Sequence, residues 1–309
     1  MKGPLFYSKI LLFGEYGIIK DSKGLSIPYN FYNGALKKDE NPSDTAISSN
    51  QKLKTFVDYL KTIDTNLVTF DFNKLEKDVE EGMYFDSSIP QGYGVGSSGA
   101  LVAAIYYKYA NDKITVLENL TREKLLNLKA IFSEMESFFH GKSSGLDPLN
   151  SYLSLPILIN SKDNIEATGI PTQSTTGKGA VFLLDSGITG ETAPMVQIFM
   201  ENMKQDGFRK MIKDQFVKHT DACVEDFLKG DIKSLFRNTK QLSKVVLNHF
   251  KPMIPKQFHE LWKKGIETNA YYLKLCGSGG GGYMLGFTED FDKAKQHLEN
   301  YKLEVVYNF

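Results

Sequence analysis

The chain has 309 residues, 41% of them hydrophobic, enough for a sizeable core and for two domains rather than one. Lys and Arg total 37 and Asp and Glu total 37, so no net field draws the protein to nucleic acid or to an anionic membrane, and neither is expected as a partner. The two cysteines, Cys223 and Cys276, lie far apart without a C-x-x-C spacing, which argues against a disulfide framework or a zinc site and makes a reducing, cytoplasmic setting the expectation.

The first stretch, M-K-G-P-L-F-Y-S-K-I-L-L-F-G-E, has an apolar run broken by Ser8 and Lys9 and no small-residue cleavage pattern, so it reads as a strand rather than a signal peptide. Residues from Leu5 to Ile19 are rich in β-branched and aromatic types around Gly14-Glu15, which predicts two strands with a tight feature between them. Leu53, Phe56, Val57 and Leu60 keep a helical interval within Thr45 to Asp64, and Leu67 to Phe72 alternates as a strand does. The glycine-rich P-Q-G-Y-G-V-G-S-S-G-A-L, Pro90 to Leu101, then runs into a small, apolar helix from Ser98 to Ala110. Thr121 opens a further helix with Leu125, Leu128, Phe132, Met135 and Phe139 on one face, and Gly141 ends it.

The polar, turn-rich Thr168 to Lys178 precedes a strand from Gly179, which sets a domain boundary near Lys178 and gives the domains 1–178 and 179–309. Helical intervals fill Thr192 to Asn269, interrupted at Pro252 and Pro255. Tyr271 to Cys276 and Tyr283 to Phe287 read as strands joined by Gly-Ser-Gly-Gly-Gly-Gly, and a helix and the strand Leu303 to Tyr307 close the chain. No window has the roughly 18 uncharged apolar residues of a membrane span.

Four stretches could carry chemistry. In the first, Gly92-Tyr93-Gly94-Val95-Gly96-Ser97-Ser98 leads into a helix, where free N–H groups and the positive end of the helix dipole suit a phosphate; serines that merely cap the helix are the plainer alternative. It is neither a G-x-x-x-x-G-K-[ST] loop nor a convincing dinucleotide loop. In the second, Lys9 and Glu15 flank the end of the first strand; Lys9 is either a solvated edge charge or a half-buried cation able to act on a reacting hydroxyl or a phosphoryl oxygen. In the third, E-S-F-F-H-G-K-S-S-G-L-D, Glu136 shares a helix face with His140 and could give magnesium a hard oxygen ligand, while Asp147 could take a proton from an alcohol. A solvated Glu136 and an Asp147 at a helix start next to Pro148 are the structural alternatives. In the fourth, K-L-C-G-S-G-G-G-G-Y, Lys274 to Tyr283, the glycines exceed what a hairpin needs, and a second close backbone approach to a ligand is expected. The histidines, His140 among them, show no paired metal spacing and read as surface or core residues.

Taken in order, these stretches resemble the three motifs of the GHMP kinase superfamily. K-I-L-L-F-G-E-Y looks like the first motif, P-Q-G-Y-G-V-G-S-S-G-A like the ATP-phosphate loop and K-L-C-G-S-G-G-G-G like the third, while L-D-S-G-I-T-G-E-T resembles the segment that opens the family's C-terminal domain. H-G-K-S-S-G-L-D is similar to the mevalonate kinase branch. The resemblance implies an α+β, two-lobed fold with the active site between the lobes, the N-terminal lobe like ribosomal protein S5 domain 2 and the C-terminal lobe ferredoxin-like. It implies ATP and Mg2+ as cofactors and a small-molecule substrate, mevalonate before phosphomevalonate or a sugar; a non-catalytic ligand sensor of the same fold is the alternative of another class. It allows a homodimer. By the same match Asp147 and Lys9 would be catalytic, Glu15 and Tyr16 would bind substrate, Ser98 and Glu136 would hold the metal, and Gly279 and Gly280 would join Gly92 to Ser98 around the phosphates. Tyr16 stands where mevalonate kinases usually have His, Cys276 and Ser278 replace the usual Thr and Ala, and Val95 replaces Leu.

Overall fold

The computed structural model describes residues 4–115 and 120–309, and contacts divide them into two units interleaved along the chain. One comprises the described residues up to Lys9, Ile27–Pro90 and Gly96–Leu155; the other comprises Ile10–Ser26, Gln91–Val95 and Pro156–Phe309. Strands β1 (Phe6–Phe13) and β2 (Gly24–Lys37) contain residues of both.

In the first unit the far end of β2 pairs antiparallel with β3 (Tyr84–Ser87), Gly34 opposite Ser87 and Lys37 opposite Tyr84. Its helices are α1 (Asp44–Leu60), α2 (Phe72–Glu80), α3 (Ser97–Tyr109), α4 (Arg122–His140) and α5 (Leu146–Leu153). Side-chain oxygens start three of them: Ser43 accepts from the Ala46 N–H, Asp71 from Lys74 and Thr121 from Lys124, each satisfying a donor that the first helical turn leaves without a partner. Helix α3 is apolar on most sides and lies against α4 and α5, with Phe132 edge-on to Tyr106 at 5.0 Å and to Tyr152 at 5.5 Å. Each such fully buried ring or branched aliphatic side chain contributes roughly 1.5–3 kcal/mol.

In the second unit Gly24–Ser26 of β2 pair with β4 (Ile157–Ser161), which forms an antiparallel hairpin with β5 (Asn164–Ala167). A separate antiparallel sheet has the order β7-β8-β6-β9, from β6 (Ala180–Asp185), β7 (Tyr272–Leu275), β8 (Tyr283–Thr288) and β9 (Leu303–Asn308). Its helices are α6 (Thr192–Asn202), α7 (Asp206–Met211), α8 (Lys218–Lys229), α9 (Ile232–His249), α10 (His259–Thr268) and α11 (Phe291–His297), with a π-helical turn at Ile212–Val217. Helices α9 and α10 pack on β7, and the buried Trp262 donates its indole N–H to Ser243 Oγ at 2.8 Å, so the largest core side chain leaves no polar atom unpaired.

Two expectations for early segments need correction. The second strand expected before Ile19 is a 3-10 helix, Gly17–Lys20: the chain turns sharply after Gly14, with the Ile18 N–H on the Gly14 carbonyl at 3.0 Å. The strand expected over Leu67 to Phe72 is only a single bridge between Phe70 and Ala110, because Asp71 caps α2 and Leu75 and Val79 give that helix an apolar face. No described helix is long and apolar enough to cross a membrane.

Candidate active site

Within the first unit, Lys9, Ser98, Glu136, His140, Ser143 and Asp147 converge at the start of α3. Gly96 takes the N-cap place with φ +83°, and no side chain caps the helix, so Ser97 and Ser98 are not capping residues and the N–H groups of the first turn have no intrahelical acceptor. Lys9 is 3% exposed, which removes the reading of a solvated edge charge, and its Nζ lies 2.9 Å from Asp147 Oδ1. Asp147 itself stays about a third exposed, so the pair joins a buried cation to an accessible carboxylate. A Cβ on Gly96 would sit 3.1 Å from Lys9 Cγ; only a glycine lets the helix start approach this pair so closely.

Helix α5 places Asp147. Gly145, at φ +71°, occupies its N-cap position, where a Cβ would meet the Ser133 nitrogen of α4 at 2.7 Å. Gly99 brings α3 equally close, a Cβ there falling 2.7 Å from the Asp147 carbonyl carbon and the Pro148 nitrogen. Backbone contacts on two sides therefore set the register that points Asp147 at Lys9.

Glu136, on α4, is 3% exposed. Its carboxylate accepts from Ser98 Oγ at 2.9 Å and from Ser143 Oγ at 2.5 Å. Burial and the nearby Asp147 charge raise its carboxyl to about 7, against the lowering effect of the two serines and Lys9. A carboxylate withdrawn from water and facing a second carboxylate is short of positive charge. Among the described residues no group of three or more His, Cys, Asp or Glu could hold a metal by itself. The donors present, Glu136, Asp147 and the Ser98 hydroxyl, are few and all hard oxygens. That set fits magnesium, which keeps waters and substrate phosphates in its shell and takes one or two protein carboxylates.

Residues not singled out from the sequence also belong here. His140 lies at the surface with Nε2 3.0 Å from Ser98 Oγ, and Ser143 completes the Glu136 hydrogen bonds. The four-residue spacing from Glu136 to His140 was the available signal for the first; no spacing marked Ser143.

Within the second unit, Gln91–Val95 lie against the glycine segment after β7. The Gly190 N–H donates to the Gly92 carbonyl at 2.9 Å and the Tyr283 N–H to the Tyr93 carbonyl at 3.4 Å, while the Tyr93 and Tyr283 rings meet edge-on at 4.9 Å. Gly94, at φ +78°, has no room for a side chain against the Cys276 carbonyl, and a Cβ on Gly282 would be 2.6 Å from Tyr93 Cα. Much of the glycine content is thus required by the protein's own backbone packing. Gly279 is buried, and the Gly280 N–H is spent on the Met253 carbonyl at 2.7 Å.

Glu15 and Tyr16 are both buried. Lys274 Nζ donates to Glu15 Oε1 at 2.5 Å, and the Tyr16 hydroxyl donates to the Ser278 carbonyl at 2.6 Å. Burial, with the Glu15 charge adding to it, pushes the Tyr16 hydroxyl well above its ordinary value, so it stays protonated and a donor. Tyr16 has φ +59°, a conformation costing of order 1–3 kcal/mol that persists only where its surroundings impose it. Its ring packs on Phe199 at 4.7 Å and Phe250 at 5.8 Å.

Residues 61–154 match the family model described as GHMP kinases N terminal domain. The fold is that of the GHMP kinases. Among solved structures, L. major mevalonate kinase in complex with R-mevalonate is similar at TM-score 0.61 and 18% identity, over 97% of this chain and 93% of that one. Streptococcus pneumoniae phosphomevalonate kinase aligns at TM-score 0.61 and 13% identity over 98% and 97%, and a second structure of it holds phosphomevalonate and AMPPNP. Lactococcus lactis galactokinase complexed with galactose aligns at 0.62 and 11% over 98% and 92%. At these identities the likeness to a GHMP kinase is one of fold. Comparison with curated protein sequences gives no significant match.

Proposed function

We propose that this GHMP-fold protein is an ATP- and magnesium-dependent kinase that transfers the γ-phosphoryl group to the primary alcohol of a small carboxylate-bearing metabolite, mevalonate. One observation carries the reading: the buried Lys9 paired at 2.9 Å with the accessible Asp147 beside the uncapped start of α3. An alcohol that reaches Asp147 meets a carboxylate to receive its proton and a cation to steady the oxygen as it loses that proton. Because a carboxylate is a far weaker base than an alkoxide, the proton moves late, as the bond to phosphorus forms. Catalysis comes mainly from positioning and charge stabilisation, as is usual in phosphoryl transfer.

The residues from Gly92 to Ser98 would hold the triphosphate through main-chain N–H groups and the α3 N-terminus, with the Gly279 segment as a second contact. Glu136 and Ser98, with Asp147 nearby, would hold the metal. Magnesium, when bound, neutralises charge on the phosphates being transferred.

A phosphorylated acceptor is the second reading. The phosphomevalonate kinase neighbour superposes as well as the mevalonate kinase one, at TM-score 0.61 each, and the exposed Lys142 next to Ser143 is a candidate cation for a substrate phosphate. ADP release measured with mevalonate, phosphomevalonate and galactose as separate acceptors decides between them. Turnover with mevalonate that Asp147→Asn abolishes is the expected result. Tight ATP binding without turnover on any acceptor would instead identify a ligand sensor and overturn the kinase reading.

A further inference from the structure

Glu15 and Tyr16 are adjacent residues of one tight turn, yet their side chains reach two points bracketing the entry to the third glycine loop. Glu15 takes the Lys274 ammonium at the end of β7, and Tyr16 donates to the Ser278 carbonyl four residues later. Lys274 also donates to the Leu275 carbonyl at 2.8 Å, so the ion pair restrains the main chain as well as a side chain. The turn is itself fixed, by the Gly17 N–H on the Glu15 carbonyl and the Ile18 N–H on the Gly14 carbonyl, and by the Tyr16 ring held against Phe199 and Phe250.

The segment these contacts hold is Gly277 to Gly282, in which five glycines have positive φ. Backbone bonds already fix its far half, the Gly280 N–H on the Met253 carbonyl at 2.7 Å and the Gly282 N–H on the Ile188 carbonyl at 2.6 Å, so the clamp bears on the entry, Gly277 to Gly279, whose amides must be ordered before a ligand arrives. Glu15 and Tyr16 are both buried, and the polar atoms they use here are engaged within the protein, Glu15 Oε1 by Lys274 and the Tyr16 hydroxyl by the Ser278 carbonyl.

We propose that Glu15, Tyr16 and Lys274 form a clamp that positions the third glycine loop, and that they act on nucleotide binding through it rather than by touching the acceptor alcohol. This rests on the ATP-dependent reading above only for its functional consequence; the clamp itself is a property of the protein without nucleotide.

Tyr16→Phe removes the one hydroxyl and keeps the ring. In the full chain without nucleotide, amide hydrogen exchange across 276–283 should quicken at least fivefold in this variant, while exchange in α3 and α4 and the melting temperature stay near wild type. Binding of AMPPNP with magnesium should weaken about three- to tenfold, with KM for ATP rising and KM for the alcohol unchanged. The pair Glu15→Gln with Lys274→Met, which removes both charges together, should loosen the same segment and guards against a single variant that fails to fold. Unchanged exchange across 276–283 in both would overturn the clamp. So would faster exchange accompanied by unaltered AMPPNP affinity and a raised KM for the alcohol, since Tyr16 would then act on the acceptor. If wild type binds no AMPPNP at all, the kinase reading fails, and the exchange measurement still decides the clamp.

Discussion

Replacing Glu136 by Gln should stabilise the metal-free protein at neutral pH while abolishing its activity. The carboxyl has an ordinary value of 4.5 and is raised to about 7 in the fold, first by burial and then by Asp147. That difference corresponds to about 3 kcal/mol, at 1.36 kcal/mol for each tenfold change in proton affinity. Because the folded value is the higher one, the protonated group favours the folded state fully below pH about 4.5, and this contribution is lost as the pH rises through about 7. Gln cannot ionise; its amide oxygen accepts from one of the two serine hydroxyls, and its NH2 donates to the other, which rotates to accept. Urea unfolding in EDTA, run at half-unit steps from pH 4.5 to 8, isolates the effect as the difference between variant and wild type. That difference should grow in favour of Gln by about 3 kcal/mol across the range, or about 6 °C in a melt at about 2 °C per kcal/mol. Magnesium added at pH 8 should recover much of the loss in wild type and none in the variant, since a divalent cation supplies the charge that the buried carboxylate lacks. Parallel pH curves for the two proteins would show that Glu136 is ordinarily solvated and would refute the reasoning.

Other perturbations test neighbouring parts. Asp147→Asn keeps an acceptor for Lys9 but not a base, so kcat in the ADP-release assay should fall about 10²- to 10⁴-fold with AMPPNP affinity nearly unchanged; a fall under threefold would remove Asp147 from proton transfer. Gly94→Ala puts a Cβ against the Cys276 carbonyl at a positive φ and should cost about 1–3 kcal/mol in unfolding experiments and weaken nucleotide binding; a wild-type melt would mean that the loop can step aside. Asp78 is held well below the ordinary carboxylate value because hydrogen bonds from Lys108, Lys38 and Tyr109 outweigh the opposing effect of burial. Its contribution is therefore present above the unfolded value and lost as the pH falls through the acid range. Asp78→Asn should cost about 1–2 kcal/mol at pH 7, less than a fully buried pair because the site is partly open to water, and distinctly less at pH 2, where that loss is under way. An equal cost at both pH values would refute the charge assignment.

Which of these features could be read from the sequence follows from how far apart their partners lie. Helices α1, α3 and α4 announce themselves within a few residues, through Ser43 and Thr121 at their starts, Gly141 at an end and apolar faces at helical spacing. Asp71 gives α2 the same kind of start, and a capping side chain constrains the backbone more directly than the alternation from Leu67 to Phe72 does. Strand β2 leaves little local mark because its pairing is settled by partners far along the chain, as when Gly24 lies opposite Ile159, and because Pro28, Asn30, Asn33 and Gly34 within it locally suggest turns. The site divides in the same way. Glu136 and His140 are neighbours on a helix face, whereas Lys9 with Asp147 and Glu15 with Lys274 join residues far apart in the chain, pairings that no local spacing signals. A buried lysine is the sharpest case: both Lys9 and Lys274 are ordinary surface residues by type, and only the carboxylates that the fold brings beside them explain why it is tolerable to take them out of water. Truncating either carboxylate should therefore disturb its lysine more than the loss of one hydrogen bond would suggest, and at these two positions stability and function cannot be separated by simple deletion. That is the physical reason for testing them with isosteric variants, Asp147→Asn and Glu15→Gln, rather than with alanine.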